Sequence, residues 1–360
     1  MDAAVLYEAN TPLKIEDVEI GEPGPGEVLV DLKASGVCHS DWHVVKGEWN
    51  NLPLPSILGH EGAGIVEAVG PSVANLKRGD HVVLSWRPSC GVCERCQSGW
   101  PNICDNGPAV NTRTVVTSTE LPVGRMAALG TFSEATIVPE VAAVRVEKDI
   151  PFEQAALVGC GVATGVGAAI NTAKVQPGTT VAVFGAGGVG LNCIQGASIS
   201  SASIIIAVDL LDSKLELARE FGATHTINAS DGDVVERIKA LTDGEGVHYA
   251  FESIGLVAEP FVQSILCTRP RGLTVWVGHA PMNTPVTIDA RDLMREKMVM
   301  GSMYGSSRPH VDFRRYLDLY RAGKLKLDEL VSKRFGLIEV NDAFEALRKG
   351  EVARGVLVFD

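Results

Sequence analysis

The sequence predicts an α/β chain in two parts: an irregular, mostly antiparallel β region, then a doubly wound parallel sheet. Three observations carry this reading. The chain has 360 residues, enough for two hydrophobic cores. Its first part, to roughly residue 160, is a series of short β-branched runs cut by Gly- and Pro-rich turns. Beyond roughly residue 175, strand and helix patterns alternate with short links, which is how a parallel sheet covered on both faces is built.

In the first part, EVLVDLKASGVC, GAGIVEAVG and GDHVVLSW read as strands, and GEPGPGE and NNLPLPS as the turns between them. The second part opens with TTVAVFG as a buried strand, GVGLNCIQGAS as a helix start and SIIIAVD as a second strand. DSKLELAREFGA follows as an amphipathic helix with Leu215, Leu217, Ala218 and Phe221 on its apolar side, stopped by Gly222. THTIN, VHYAFESIG and LTVWVGHA continue as strands, with VVERIKALTDG as a helix stopped at Gly244. The tail holds two helical patterns, VDFRRYLDLYRAG and NDAFEALRKG, and ends in a strand, GVLVFD. No internal repeat or low-complexity tract interrupts these elements.

Composition narrows the function. The chain is 46% hydrophobic, 21% charged and 6% aromatic, an ordinary globular balance. Its formal charge is −12 and it has no basic run, which argues against nucleic acid or an anionic membrane as partner. The N-terminal stretch lacks the basic and apolar regions of a signal peptide. Val175 to Val208 contains no charged residue, but its Gly, Ser, Gln, Asn and Thr content fits a buried strand–helix–strand unit better than a membrane span. Eight cysteines without a secretion signal point to a reducing compartment, and the expectation is a cytoplasmic protein with metal-binding thiols.

Four of those thiols form C-x2-C-x2-C-x7-C at Cys90, Cys93, Cys96 and Cys104. Disulfides two residues apart would be strained, whereas turn-rich backbone lets four thiolates converge on a tetrahedral Zn²⁺. A closed shell leaves no open position, so this zinc is structural. The competing redox C-x-x-C reading is disfavoured by Gly99 and Pro101, which mark a loop. A second group, GVCHSDWH and LGHEGAG, brings Cys38, His39, Ser40, Asp41, His43, His60 and Glu61 into two short stretches. Cys38 and His60 could ligate a catalytic metal; spacing does not name the third ligand.

A third motif is G-x-G-x-x-G at Gly185, Gly187 and Gly190, directly after the strand TVAVF and opening a helix. Asp209 ends the next strand, 19 residues after Gly190. In that context the glycines let backbone approach a pyrophosphate, the helix N-terminus favours its charge, and Asp209 accepts from the adenosine ribose hydroxyls. A 2′-phosphate would meet that carboxylate and finds no Arg at Leu210 or Leu211, so NAD is preferred to NADP.

Taken in order, GVCHSDWHVVKG, LGHEGAGIVEAVG, the four-cysteine block, GCGVATGVGAAINTAKVQPG and VFGAGGVG make the chain resemble the zinc-dependent alcohol dehydrogenases of the medium-chain dehydrogenase/reductase superfamily, over essentially its full length. The resemblance implies a GroES-like catalytic domain at 1–161 and 304–360 and an NAD-binding Rossmann domain at 162–303. It supplies Cys160, in the GCG turn, as third ligand beside Cys38 and His60, and so two zinc ions per chain, one catalytic and one structural. It implies that Glu61 lies behind the catalytic zinc and that Asp41 orients the ligand histidine. Ser40 would accept the hydroxyl proton, passed through the nicotinamide ribose to His43 and solvent. Gly188 and Val189 join the cofactor glycines, with Val189 backing the nicotinamide, Lys214 on the ribose, and His39 and Arg354 on the pyrophosphate. Thr164 belongs to the cofactor set and, with Trp49, Trp86 and Met303, lines the substrate site; two Trp rings favour a slim or flat apolar alcohol. The implied partner is a small alcohol or aldehyde, and the implied assembly a homodimer or homotetramer. Some members oxidise a thiol adduct of formaldehyde formed with glutathione or mycothiol; the stretch EWNNLPLP lacks the acidic pair expected there. Others hold NAD permanently and use an external acceptor. A non-enzymatic zinc- and nucleotide-binding protein would need no Ser40, His43 and Glu61 together.

Overall fold

The longest strand, Glu27–Val37, organises the first half of the chain. Its alternate residues Val28, Val30, Leu32 and Ala34 are all fully buried, the period of two that one sheet face dictates. Antiparallel neighbours are Glu61–Val69, Ala135–Pro139 and the C-terminal strand Arg354–Val358. Hence the last strand of the chain, whose place sequence alone left open, lies against one of the first. The computed structural model describes residues 1–49, 52–107, 114–281 and 284–359. It divides into two units: residues 1–160, 308–322 and 327–360, and residues 161–307 and 323–326.

In the first unit the main sheet runs Ala143–Val146, His81–Leu84, Glu61–Val69, Glu27–Val37, Arg354–Val358, Val331–Phe335, with Ala135–Pro139 also paired to Glu27–Val37. A small closed barrel is formed by Asp2–Leu6, Lys14–Glu19, Thr114–Val116, Leu121–Arg125 and Ser56–Ile57. Leu6, Leu32, Ile57, Leu58, Leu84, Leu129 and Phe132 are fully buried between these strands. Register is functional here: Gly36 stands opposite Glu61, and Gly355 opposite Val37, so Cys38, Glu61 and Arg354 meet at one end of three strands.

The second unit is a six-stranded, all-parallel sheet in the order His225–Asn228, Ile204–Asp209, Thr180–Phe184, Val247–Glu252, Thr268–Trp276, Met298–Gly301. By chain order this is 3-2-1-4-5-6, the dinucleotide-fold arrangement whose ligand crevice lies at the carboxyl ends of the strands where the order reverses. Ala182, Ile206 and Ala250 on the three central strands are fully buried, as the unbroken apolar runs of the sequence require.

One local expectation is corrected. GCG is not a turn: residues 152–173 are one helical run, with wide π-type turns at Val158–Val162 and Ala168–Ala173. Gly159 serves close packing, since a Cβ there would lie 2.8 Å from the Leu84 carbonyl oxygen. The run is long and apolar enough to cross a membrane by length and composition, yet 78% of its most apolar window is buried inside the protein.

Candidate metal and nucleotide sites

The first unit gathers Cys38, His60, Glu61 and Cys160, with one ligand atom from each within 4.8 Å of all the others. Three backbone devices supply them. Cys38 is extended backbone capping the helix His39–Val45, which starts where the strand Glu27–Val37 ends. His60 and Glu61 sit at the entry of the strand Glu61–Val69. Cys160 lies in the π-type turn, a wide turn of the sort found at functional sites. Gly36 makes the room: a Cβ there would overlap the Glu61 carboxylate.

Asp41 is fully buried and fixes the geometry. Cys38 N–H donates to Oδ2 at 3.2 Å and Gly59 N–H to Oδ1 at 3.0 Å. His60 Nδ1 lies 3.1 Å from Oδ1, and since an ionised carboxylate can only accept, this holds the hydrogen on Nδ1 and leaves Nε2 free to ligate. Glu61 is also fully buried and in ion contact with Arg354, itself 4% exposed, but neither of its oxygens is in hydrogen-bond geometry with any of the described residues. Burial pushes the Glu61 carboxyl up to about 7 against the pull of Arg354. Cys38 and Cys160 are driven apart, Cys38 well below and Cys160 well above the usual thiol range, because two thiols in contact share one proton. Two sulfurs, one oriented imidazole and an under-bonded buried carboxylate are the donor set that a zinc ion satisfies.

The second cluster is Cys90, Cys93, Cys96 and Cys104. Its Cys93–Cys104 and Cys104–Cys90 sulfur separations are 3.8 and 3.6 Å. Four Zn–S bonds of about 2.3 Å in a tetrahedron place the sulfurs about 3.8 Å apart, so the cage has the size of the ion. Cys90 and Cys93 N–H groups point at sulfurs at 3.4 Å. Burial opposes ionisation of Cys104, but backbone N–H donors from Cys90 and Asn106 and the neighbouring thiols bring it down to about 6. All eight cysteines are free thiols, and Cys193 and Cys267, which match no ligand position, are fully buried.

Ser40 and His43 are three apart on the helix His39–Val45 and so share a face; Ser40 is half-buried, His43 buried and His39 exposed. His43 Nδ1 lies 2.5 Å from Glu48 Oε2, a partner that the sequence reading missed. Trp49 lies flat against the His43 ring, and Trp86 is half-buried in the same unit. Asn50 and Asn51 of the EWNNLPLP stretch lie outside the described residues.

In the second unit, Gly185 has φ +92°, and a Cβ there would meet Ile254 and Ser253. Gly190 packs on the Gly185 carbonyl. Gly187 caps the helix Gly188–Ile199, and a Cβ there would meet nothing within 4 Å. No atom of the described residues therefore demands glycine at 187; the open space above the helix N-terminus is what a pyrophosphate would fill. Val189 lies in the first turn of that helix, half-buried. Asp209 Oδ2 accepts from Ala186 N–H at 2.8 Å, and Oδ1 from Leu210 and Leu211 N–H at 2.8 and 3.1 Å, which aims the carboxylate at the end of its strand. Lys214 and Thr164 are half-buried on their helices, and Met303 is 42% exposed.

Comparison with known proteins adds family. Residues 24–148 match the alcohol dehydrogenase GroES-like domain and residues 188–322 the zinc-binding dehydrogenase domain. An NDMA-dependent alcohol dehydrogenase of Amycolatopsis methanolica is 39% identical, covering 99% of this chain and 98% of that protein. S-(hydroxymethyl)glutathione dehydrogenase of Paracoccus denitrificans is 36% identical over 99% of each. The crystal structure of benzyl alcohol dehydrogenase from Acinetobacter calcoaceticus superposes with a TM-score of 0.93 at 36% identity, covering 100% of this chain and 99% of that one.

Proposed function

The chain belongs to the zinc-dependent alcohol dehydrogenases of the medium-chain dehydrogenase/reductase superfamily, and from that premise we propose that it interconverts a primary or secondary alcohol and its aldehyde or ketone, with NAD as hydride carrier and two zinc ions per chain. The observation that carries this is the buried convergence of Cys38, His60, Glu61 and Cys160 beside a helix bearing Ser40 and His43.

When bound, zinc supplies a Lewis acid that lowers the pKa of a hydroxyl, and NAD supplies the hydride acceptor. Cys38, His60 and Cys160 would hold the catalytic ion, with Asp41 setting the His60 tautomer. Glu61 and Arg354 balance each other behind the ligands, which keeps two charges tolerable in a dry site. Ser40 takes the hydroxyl proton, and His43 moves it toward water. The fingerprint glycines and Asp209 bind NAD, with Gly188, Val189, Thr164 and Lys214 beside them and His39 and Arg354 for the pyrophosphate. Asp209 disfavours a 2′-phosphate. Trp49, Trp86 and Met303 shape the substrate site for a flat or slim apolar alcohol, and the relative that acts on benzyl alcohol supports that choice. We further propose a reducing, cytoplasmic setting for the eight cysteines, none of them in a disulfide, and a homodimer or homotetramer through the edge strand Met298–Gly301, where Met298 and Met300 are 51% and 42% exposed.

Two variants of this reading have support from relatives: oxidation of a thiol adduct of formaldehyde, and dependence on NDMA, which would go with permanently held NAD in this chain. One experiment separates them. Zinc per chain is measured on purified protein. NAD reduction is then followed with ethanol, hexanol, benzyl alcohol and cyclohexanol, and with formaldehyde plus glutathione or mycothiol; NDMA bleaching is followed without added NAD. Two zincs and NAD-dependent turnover of free alcohols are expected. Turnover confined to the thiol adduct or to NDMA promotes the corresponding variant, and one zinc without turnover overturns the catalytic assignment of Cys38, His60 and Cys160.

A further inference from the structure

The backbone after the helix His39–Val45 folds back on His43. Lys46 N–H donates to Trp42 and Gly47 N–H to Val44. Gly47 then takes a left-handed φ of +69°, which a side chain would oppose. Past that step both Glu48 N–H and Trp49 N–H donate to the His43 carbonyl, at 2.9 and 3.3 Å. The side chains repeat the association. Glu48 Oε2 is 2.5 Å from His43 Nδ1, and the Trp49 and His43 rings stack with centroids 5.1 Å apart and planes 17° from parallel. The dyad spans the surface: the imidazole is 9% exposed and the carboxylate 40%.

We propose that Glu48 is a positioning residue for the proton relay, holding His43 as the Nδ1–H tautomer so that the Nε2 lone pair is the proton acceptor. The inference rests on the alcohol-oxidation reading. An ionised carboxylate only accepts, so the short contact requires the hydrogen on Nδ1. Trp49 keeps the ring plane from rotating, and Gly47 lets the carboxylate reach it. Each alcohol oxidised releases one proton; Nε2 takes it, the resulting imidazolium remains bonded to Glu48 through Nδ1–H, and Nε2 then gives that proton to water, leaving the ring as it began. No electrons move in these steps.

The test uses the zinc-loaded full chain and its E48A and E48Q variants. Long-range ¹H–¹⁵N spectra of labelled histidine, with H43N assigning the signal, read the tautomer without any turnover. Expected is Nδ1–H in wild type and E48Q, where an amide oxygen still accepts, and its loss in E48A. With benzyl alcohol and NAD, E48A should lose roughly tenfold to hundredfold in kcat with KM within about threefold, E48Q should lose less, and added formate should restore part of the E48A rate. Overturning results are an unchanged tautomer in E48A, a kcat within about twofold of wild type, or a loss that formate does not touch and a lowered Tm accompanies. If wild type oxidises no alcohol, the functional reading falls, while the tautomer spectrum still decides whether Glu48 positions His43.

Discussion

Glu252 should make the stability of the parallel-sheet unit depend on pH, and Glu252→Gln should remove that dependence. The residue ends the strand Val247–Glu252 and is fully buried. Oε1 accepts from Ile254 N–H at 2.8 Å and Gly255 N–H at 2.9 Å, which holds the turn packed beside Gly185. Oε2 has no hydrogen-bond partner among the described residues. Burial outweighs the backbone donors and raises the carboxyl from 4.5 to about 7. A raised carboxyl pKa means that the fold prefers the neutral form. Below pH 4.5 both states are protonated and nothing is lost. Between 4.5 and 7 the unfolded chain ionises first, so stability falls as pH rises. Above 7 the full penalty of about 3 kcal/mol is in place. Gln keeps the acceptor for Ile254 and Gly255 and never ionises. It also buries an amide NH₂ where Oε2 was, but that cost is the same at every pH. The stability difference between Gln and Glu variants should therefore shift in favour of Gln by about 3 kcal/mol from pH 4.5 to pH 8. Native-state hydrogen exchange in the strands Thr180–Phe184 and Val247–Glu252, corrected for intrinsic rates, reads this unit alone. A difference that stays flat across that range would refute the reasoning.

The remaining predictions concern ligands. Asp41→Ala leaves Cys38 N–H, Gly59 N–H and His60 Nδ1 without their shared acceptor, so affinity for the catalytic zinc should fall roughly 10–100-fold in chelator competition while the four-cysteine site keeps its ion. Cys104→Ser removes the sulfur that contacts both Cys90 and Cys93; metal analysis should find one zinc per chain instead of two, and the thermal midpoint should drop by roughly 5 °C or more. On the proposed NAD reading, Asp209→Ser removes the carboxylate set to accept from the ribose, so kcat/KM for NAD should fall roughly tenfold to hundredfold while NADP is tolerated better than before.

Much of the parallel-sheet unit was legible because its signals are local. TVAVF and SIIIAVD are strands by composition alone, and the fingerprint glycines follow one another within six residues where the strand TVAVF passes into the helix it feeds. The antiparallel unit was less legible, since its order depends on partners far apart. Arg354–Val358 finds Glu27–Val37 across more than three hundred residues, and nothing in GVLVFD names that partner. The helical run at 152–173 was hidden by its glycines, which signal a turn from sequence, although Gly159 here serves packing against Leu84.

The two metal clusters show the same division more sharply. Cys90, Cys93, Cys96 and Cys104 can meet through short loops, so their spacing is itself the evidence for the site. Cys38, His60 and Cys160 are joined only by sheet register and a distant helix, and spacing cannot name such a set; the third ligand came from resemblance. Glu48 falls between these cases. It is five residues from His43, a distance at which neither helix nor strand periodicity brings side chains together. What unites them is one left-handed glycine, and Gly47 followed by an acid was the available signal. Charge balance at the candidate metal site also depends on long-range pairing: Arg354 reaches Glu61 only because the strand Arg354–Val358 pairs with Glu27–Val37. A metal site of this kind exists only once the whole antiparallel unit has folded, whereas the four-cysteine cluster needs only its own loop.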